Sequence, residues 1–266
     1  MNDATRLSIP LLKRRLRSYG TSLFAASCAL VAGCASSSGC EARYDASPQF
    51  KGCNFQNLPN PDVLPSASGW RIWSRFIVGD KVGTVPVDPI PVRMLATADL
   101  EALDPRANHV VRLGHSSHLL KLQGKYWLID PVFSERASPF TWVGPKRFHK
   151  PPLTLEQLPP IEGLILSHDH YDHLDVATIE YLAQRVQRYF VPLGVRARLM
   201  AMGVPAERVT ELDWWQGGEH DGVKLTATPA QHFSGRTLTD RDRTLWASWV
   251  VQSGEQRIFY SGDSGY

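Results

Sequence analysis

The chain has 266 residues, 43% of them hydrophobic and 10% aromatic, an ordinary balance for a globular protein with room for a sizeable core. Its formal net charge of +3 reflects 29 basic and 26 acidic residues, and five of the basic ones (Arg6, Lys13, Arg14, Arg15, Arg17) fall within the first 33 positions, with a single acidic partner, Asp3. The remainder carries 24 basic and 25 acidic residues, a net of −1, with no basic run to track a phosphate backbone, so nucleic acid is excluded as an expected partner.

At the front, "KRRLR" (Lys13 to Arg17) precedes an apolar, small-residue run of about 16 residues, short for a membrane-spanning helix and matching an export signal. "LVAGC" (Leu30 to Cys34) resembles a bacterial lipobox, which implies cleavage before Cys34 and a lipid on that cysteine. The expected organisation is a signal peptide over 1–33, a tether and irregular arm over 34–95, and a catalytic domain over 96–266. The expected location is the bacterial cell envelope, with the chain attached to the membrane through the lipid anchor. Neither Ala35 nor Ser36 is the aspartate that would retain it at the inner membrane, so the outer membrane, facing the periplasm, is the expected site. Cys28 lies in the leader; Cys40 and Cys53 either pair in an oxidising compartment or stay free thiols, and neither has the CxxC spacing of a zinc site.

"ASSSGCEA" has the small, polar composition of a tether. From Tyr44 to about Val92 the chain is rich in Pro, Asn and Gly and reads as an irregular arm over the core, with the aromatic stretch "GWRIWSRFIV" packing against it. From His109 short apolar runs alternate with turn signals. "HVVRL" and "HLLKL" read as strands, and the turn "QGK" before "YWLID" marks a hairpin. "IEGLILS" reads as a buried strand leading into "HDHYDHLD". "VATIEYLAQRV" has helical spacing, with Asp175 placed to cap it. "RYFVPL" then reads as a strand and "VRARLMAMG" as a helix ending at Gly203. "RVTEL", "VKLTATP", "LWASWVV" and "RIFYS" read as strands. This order predicts a layered α/β domain.

The nine residues Ser167 to Asp175 hold three of the chain's nine histidines and three aspartates. His168 and His170 close a strand, and Asp172 and His173 open the next helix. Imidazoles alternating with carboxylates suit zinc and similar divalent ions, and two separate ligand pairs point to two of them. The plainer alternative is a polar loop that happens to be rich in histidine.

HxHxDH on the loop after a strand is the signature of the metallo-β-lactamase fold superfamily, which this chain resembles. Within it the chain looks like the branch holding N-acyl-phosphatidylethanolamine-hydrolysing phospholipase D and the RomA outer-membrane proteins, through "GHSSHLLKLQGKYWLIDPVFSERASPFTWVGPKRFHKPP", "LPPIEGLILSHDHYDHLD", "QHFSGRTLTDRDRTLWASWV" and "YSGDSGY". The resemblance implies an αββα sandwich binding two Zn²⁺ ions. His168, His170 and His232 would hold the first; Asp172 and His173 would hold the second; Asp263 would bridge both. Asp172 and Asp263 would be catalytic. His115, in "LGHSS", would touch substrate or a ligand carboxylate, a buried structural histidine being the plainer reading. His109, His118, His149 and His220 are not expected as ligands.

Two cations about 3.5 to 4 Å apart hold a shared water, lower its pKa to near 7 and stabilise both oxygens of an in-line displacement. The family carries a further histidine of the second site well after the GD motif, and here the sequence ends at Tyr266. A sandwich and a second site incomplete at the C-terminus are therefore expected. The resemblance implies a zinc-dependent phosphodiesterase acting on phospholipids such as N-acyl-phosphatidylethanolamine. The alternatives are a lactonase or other hydrolase of small cyclic esters and amides, and a non-catalytic remnant anchored at the outer membrane.

Overall fold

Apolar runs in the middle of the chain assemble into a six-stranded sheet that carries the histidine cluster on its rim. The structure, a computed structural model, describes residues 44–59 and 83–265. The leader, Cys34, Cys40 and the aromatic stretch 69–78 lie outside the described residues.

The arm contributes a small hairpin, β1 (Phe50–Lys51) and β2 (Asn54–Phe55), followed after residue 83 by a short helix, α1 (Thr97–Glu101). The large sheet then takes β3 (His109–Gly114), β4 (Ser117–Leu122), β5 (Lys125–Ile129), β6 (Ile161–Ile165), β7 (Val186–Pro192) and β8 (Val209–Leu212), in that spatial order. The first three pair antiparallel; β5 to β8 run parallel. Two helices cross over between the parallel strands, α2 (Val176–Leu182) and α3 (Val195–Ala201). The second sheet is antiparallel, in the order β12 (Gln256–Tyr260), β11 (Ser248–Ser253), β10 (Val223–Thr228) and β9 (Gly217–His220).

The two sheets share one core. Trp127, Ile129, Ile165 and Phe190 of the large sheet meet Leu225, Ala227, Trp249 and Val251 of the small one, and Tyr44 and Phe55 of the arm are buried in the same cluster. Each such fully buried large side chain contributes roughly 1.5–3 kcal/mol of transfer free energy. Gly163 on β6 lies beside Trp127 on β5, and a Cβ there would run into the indole ring. The opposite face of the large sheet packs Leu128, Leu164 and Tyr189 against Ile179 and Leu182 of α2 and Val195 and Leu199 of α3. Helix, sheet and sheet thus form three of the layers expected of an αββα sandwich. Among the described residues no helix covers the outer face of the small sheet, where Phe259 is 65% exposed. No helix among these residues is long and apolar enough to cross a membrane.

Three local readings change. The helix expected over 176–186 stops at Leu182, because Val186, fully buried, is taken into β7 opposite Ile161. Leu245 to Ala247, expected as strand, are buried coil tied to neighbouring loops, Leu245 N–H donating to Leu193 and Ala247 N–H to Ser167. Asp175 stands at the N-cap of α2 without capping it, its carboxylate accepting instead from Phe133 N–H, Ser134 N–H, Ser134 Oγ and Thr178 Oγ1. Cys53 is disulfide-bonded.

Candidate metal centre

Parallel pairing of β5 with β6 brings the carboxyl ends of both strands to one rim, where open α/β sheets place their ligands. Asp130 follows β5, and the loop from Ser167 to Asp175 follows β6. Asp130 is wholly buried and its carboxylate is fully used: Oδ1 accepts from Ser167 N–H at 2.7 Å, and Oδ2 lies 2.5 Å from Ser167 Oγ, 2.7 Å from His173 Nδ1 and 2.6 Å from Tyr260 Oη. Ser167 Oγ is in turn 2.9 Å from His168 Nδ1. With the serine hydroxyl donating to Asp130, the His168 Nδ1–H donates to the serine. Its Nε2 lone pair is left facing outward, the tautomer a metal ligand needs.

The loop itself is gripped from outside the sheet. Arg236 Nη1 donates to the carbonyls of Asp169 and Leu174 at 2.6 and 2.8 Å, and its guanidinium stacks 3.8 Å from the Tyr171 ring centroid. Asp169 of the motif is buried and turned away from the other acidic groups, accepting from Gly235 N–H at 2.8 Å and lying 3.5 Å from Arg198 Nε.

Two donor clusters result. In the first, His168 Nε2, His170 Nδ1 and His232 Nε2 converge with separations of 2.9, 3.2 and 3.2 Å. A tetrahedral zinc with Zn–N bonds of 2.0–2.1 Å would set its ligand nitrogens about 3.3 Å apart, so the triad fits such an ion closely. Burial, reinforced by the neighbouring histidines, holds the pKa of His168 well below the usual imidazole range; burial likewise lowers His170 and brings His232 down to about 4. The three rings are therefore neutral near pH 7, with lone pairs ready for a cation.

The second cluster joins His115, Asp172, His173 and Asp263. His115 Nε2 is 3.2 Å from Asp172 Oδ2, and His173 Nε2 is 3.1 Å from Asp263 Oδ2. Burial disfavours charge on His173, but Asp130 foremost, then Asp263 and Asp172, outweigh it and push its pKa up to about 10. Burial would raise Asp172, yet His115 and His173 hold it well below the ordinary carboxylate range. Contact with His173 lowers Asp263 likewise. The sequence reading left this cluster three donors; the structure adds His115, held at positive φ (47°) after Gly114. Asp263, expected to bridge, gathers with the second cluster, because its carboxylate turns to His173. His109, His118, His149 and His220 stay out of both clusters, spending a ring nitrogen on Asp104 O, Ser116 O, Lys150 O and Glu162 Oε1 respectively.

Four positioning residues escaped sequence reasoning: Asp130, Tyr260, Arg236 and Asn57. Asn57 clamps the backbone of His232 from the arm, its Oδ1 accepting from His232 N–H at 3.0 Å and its Nδ2 donating to His232 O at 2.7 Å. Asp130 alone left a readable signal, a carboxylate closing a strand that pairs with the one feeding the cluster.

Residues 126–266, over half the chain and all of the metal-donor residues except His115, match the family profile described as Beta-lactamase superfamily domain. The chain belongs to this family. Its relatives include an uncharacterized protein of Mycobacterium tuberculosis, 40% identical over 225 residues, 84% of this chain and 59% of that protein. N-acyl-phosphatidylethanolamine-hydrolyzing phospholipase D 1 of Caenorhabditis elegans is 37% identical over 163 residues, 58% of this chain and 46% of that protein. The mitochondrial N-acyl-phosphatidylethanolamine-hydrolyzing phospholipase D of Saccharomyces cerevisiae is 33% identical over 160 residues, 58% of this chain and 34% of that protein. The chain thus spans between about a third and three-fifths of these relatives' lengths.

Proposed function

We propose that this member of the family is a zinc-dependent hydrolase of phosphodiesters, with phospholipids of the N-acyl-phosphatidylethanolamine kind as substrates. The observation that carries the reading is the pairing of a neutral three-histidine cluster with an acidic cluster, each built around the 167–175 loop and both oriented through Asp130. The two phospholipase relatives supply the phosphodiester part.

His168, His170 and His232 would hold one ion, and His115, Asp172, His173 and Asp263 a second. Divalent cations bound at such a pair of sites act as Lewis acids and lower the pKa of water. Asp172, kept ionised beside His115, would orient the attacking water and accept its proton. Tyr260 and Ser167 fix Asp130, and through it the rings of His168 and His173, so the donors do not need to reorganise during reaction. A cavity of about 530 Å³ opens beside the clusters, with His115, His170 and Asp172 in its wall, and gives a substrate room to approach.

The test is turnover by zinc-loaded protein of N-acyl-phosphatidylethanolamine, bis(p-nitrophenyl) phosphate and a simple lactone, each with and without chelator. Chelator-sensitive cleavage of the two phosphodiesters is expected. Cleavage of the lactone alone would replace the reading with a lactonase, and no turnover of any of the three with both sites loaded would leave a non-catalytic metal-binding protein.

A further inference from the structure

The cavity beside the clusters has an unequal distribution of charge. Its acidic side chains are matched: Asp172 by His115 at 3.2 Å, and Glu135 by Lys146 at 2.6 Å. Two guanidinium groups in the same wall, Arg112 and Arg147, make no ion pair among the described residues. Arg147 donates through Nη2 to the carbonyl of Val132 at 3.1 Å, while its Nε and Nη1 are enclosed with no partner. Burial pushes its pKa down, but a guanidinium remains charged at any physiological pH, so the positive charge persists. The Asp175 carboxylate acts on this charge only through space, without a direct ion pair, so two enclosed N–H donors are left for an acceptor.

The second guanidinium opens onto the same cavity. Arg112 is exposed, and its Nη2 is 3.4 Å from the carbonyl of His115, the residue whose ring touches Asp172. Arg112 thus lines the same cavity as His115 and Asp172 of the second donor cluster. The wall behind it is tightly built: Gly114 has φ +126°, and a Cβ there would come within 2.9 Å of His149, with Arg147 next to it. Ile90, Val132 and Phe148 add an apolar side to the same cavity.

We infer that Arg112 and Arg147 form an anion subsite that takes the non-bridging oxygens of a phosphate ester entering the second cluster, and so selects negatively charged esters over neutral ones. Arg112 makes the direct contact, and Arg147 supplies field from behind it. This deepens the phosphodiesterase reading and rests on it for the identity of the anion. Neutral lactones and carboxylic esters would gain nothing from either side chain.

The experiment is calorimetric titration of the zinc-loaded protein with inorganic phosphate, comparing wild type with Arg112→Gln and Arg112→Lys, with zinc content measured in each. A charge-assisted contact predicts affinity about 10- to 100-fold weaker for Arg112→Gln, with Arg112→Lys recovering part of it. Parallel titrations use a soluble glycerophosphodiester and the same headgroup on a diacyl lipid in micelles. A penalty in either arm supports the subsite, and the arm showing it names a free ester or a lipid as the source. Unchanged affinity for phosphate and for both esters, at unchanged zinc content, overturns the subsite even if the protein cleaves phosphodiesters. An intact Arg112 effect on phosphate with no phosphodiester turnover would instead sink the phosphodiesterase reading and leave the subsite standing.

Discussion

The two donor clusters share a loop and a buried carboxylate, yet they are opposite in electrostatic character. The triad of His168, His170 and His232 is neutral and half-enclosed, three imidazole nitrogens facing one another with no charge to displace. The cluster of His115, Asp172, His173 and Asp263 holds two ionised carboxylates around a protonated imidazole, an internal ion pair in which His173 Nε2 is buried without a hydrogen bond. The first arrangement gains from a cation at once. The second must give up a proton to accept one. Affinity for metal is thus set less by how many donors gather than by what they do in its absence.

The largest expected effect comes from breaking the triad. His168→Ala removes one of three neutral donors, and from the zinc-binding energy shared among the ligands of such sites this weakens the first site by about 10²- to 10³-fold. Elemental analysis of purified protein should show most of its zinc gone; wild-type content would mean that the triad is not the binding set. A change of pH should separate the clusters. His173, with its pKa raised to about 10, is protonated throughout the neutral range, so proton competition weakens metal binding at the second cluster as pH falls. Between pH 8.5 and 6.5 that site should lose about 100-fold in affinity, roughly tenfold per pH unit. The triad, whose pKa values are lowered, should barely respond. Zinc titrations at the two pH values check this, and parallel pH responses at both sites would dissolve the contrast. Third, Asp130→Asn should weaken both sites together by about 10- to 100-fold, as loss of an orienting partner commonly does. A loss confined to one site would show that Asp130 does not serve both.

Much of this was legible in the sequence for a definite reason. Strands β3 to β8 announce themselves through apolar runs between turn residues, and HxHxDH concentrates unusual chemistry in adjacent positions. β9 left no such trace: "GGEH" looks like a turn, and Gly218 belongs there because a Cβ would come within 2.8 Å of the Phe190 ring. That constraint is written in the packing of another strand. Asn57 was missed on the same grounds, and Asp130, although a carboxylate closing a strand, needed the strand pairing to show its role. A single aspartate after a strand and a single asparagine in a proline-rich arm have ordinary local roles, and only the register of β5 on β6, or the folding back of the arm, gives them their partners. Asp175 shows the converse, a residue whose local signal for a helix cap is real and whose carboxylate is claimed by a distant loop.

The clamp between Asn57 and His232 also has a consequence in time. The two residues are 175 positions apart, so at ribosomal rates of 5–20 residues per second the arm emerges roughly 10–35 s before the histidine it will hold. During that interval Tyr44, Phe50 and Phe55 have no small sheet to pack against, since β9 to β12 are not yet made. The apolar hairpin of the arm is therefore a stretch that must be kept from wrong partners while it waits, and the last histidine of the triad is fixed only when the earlier-made arm folds back onto it.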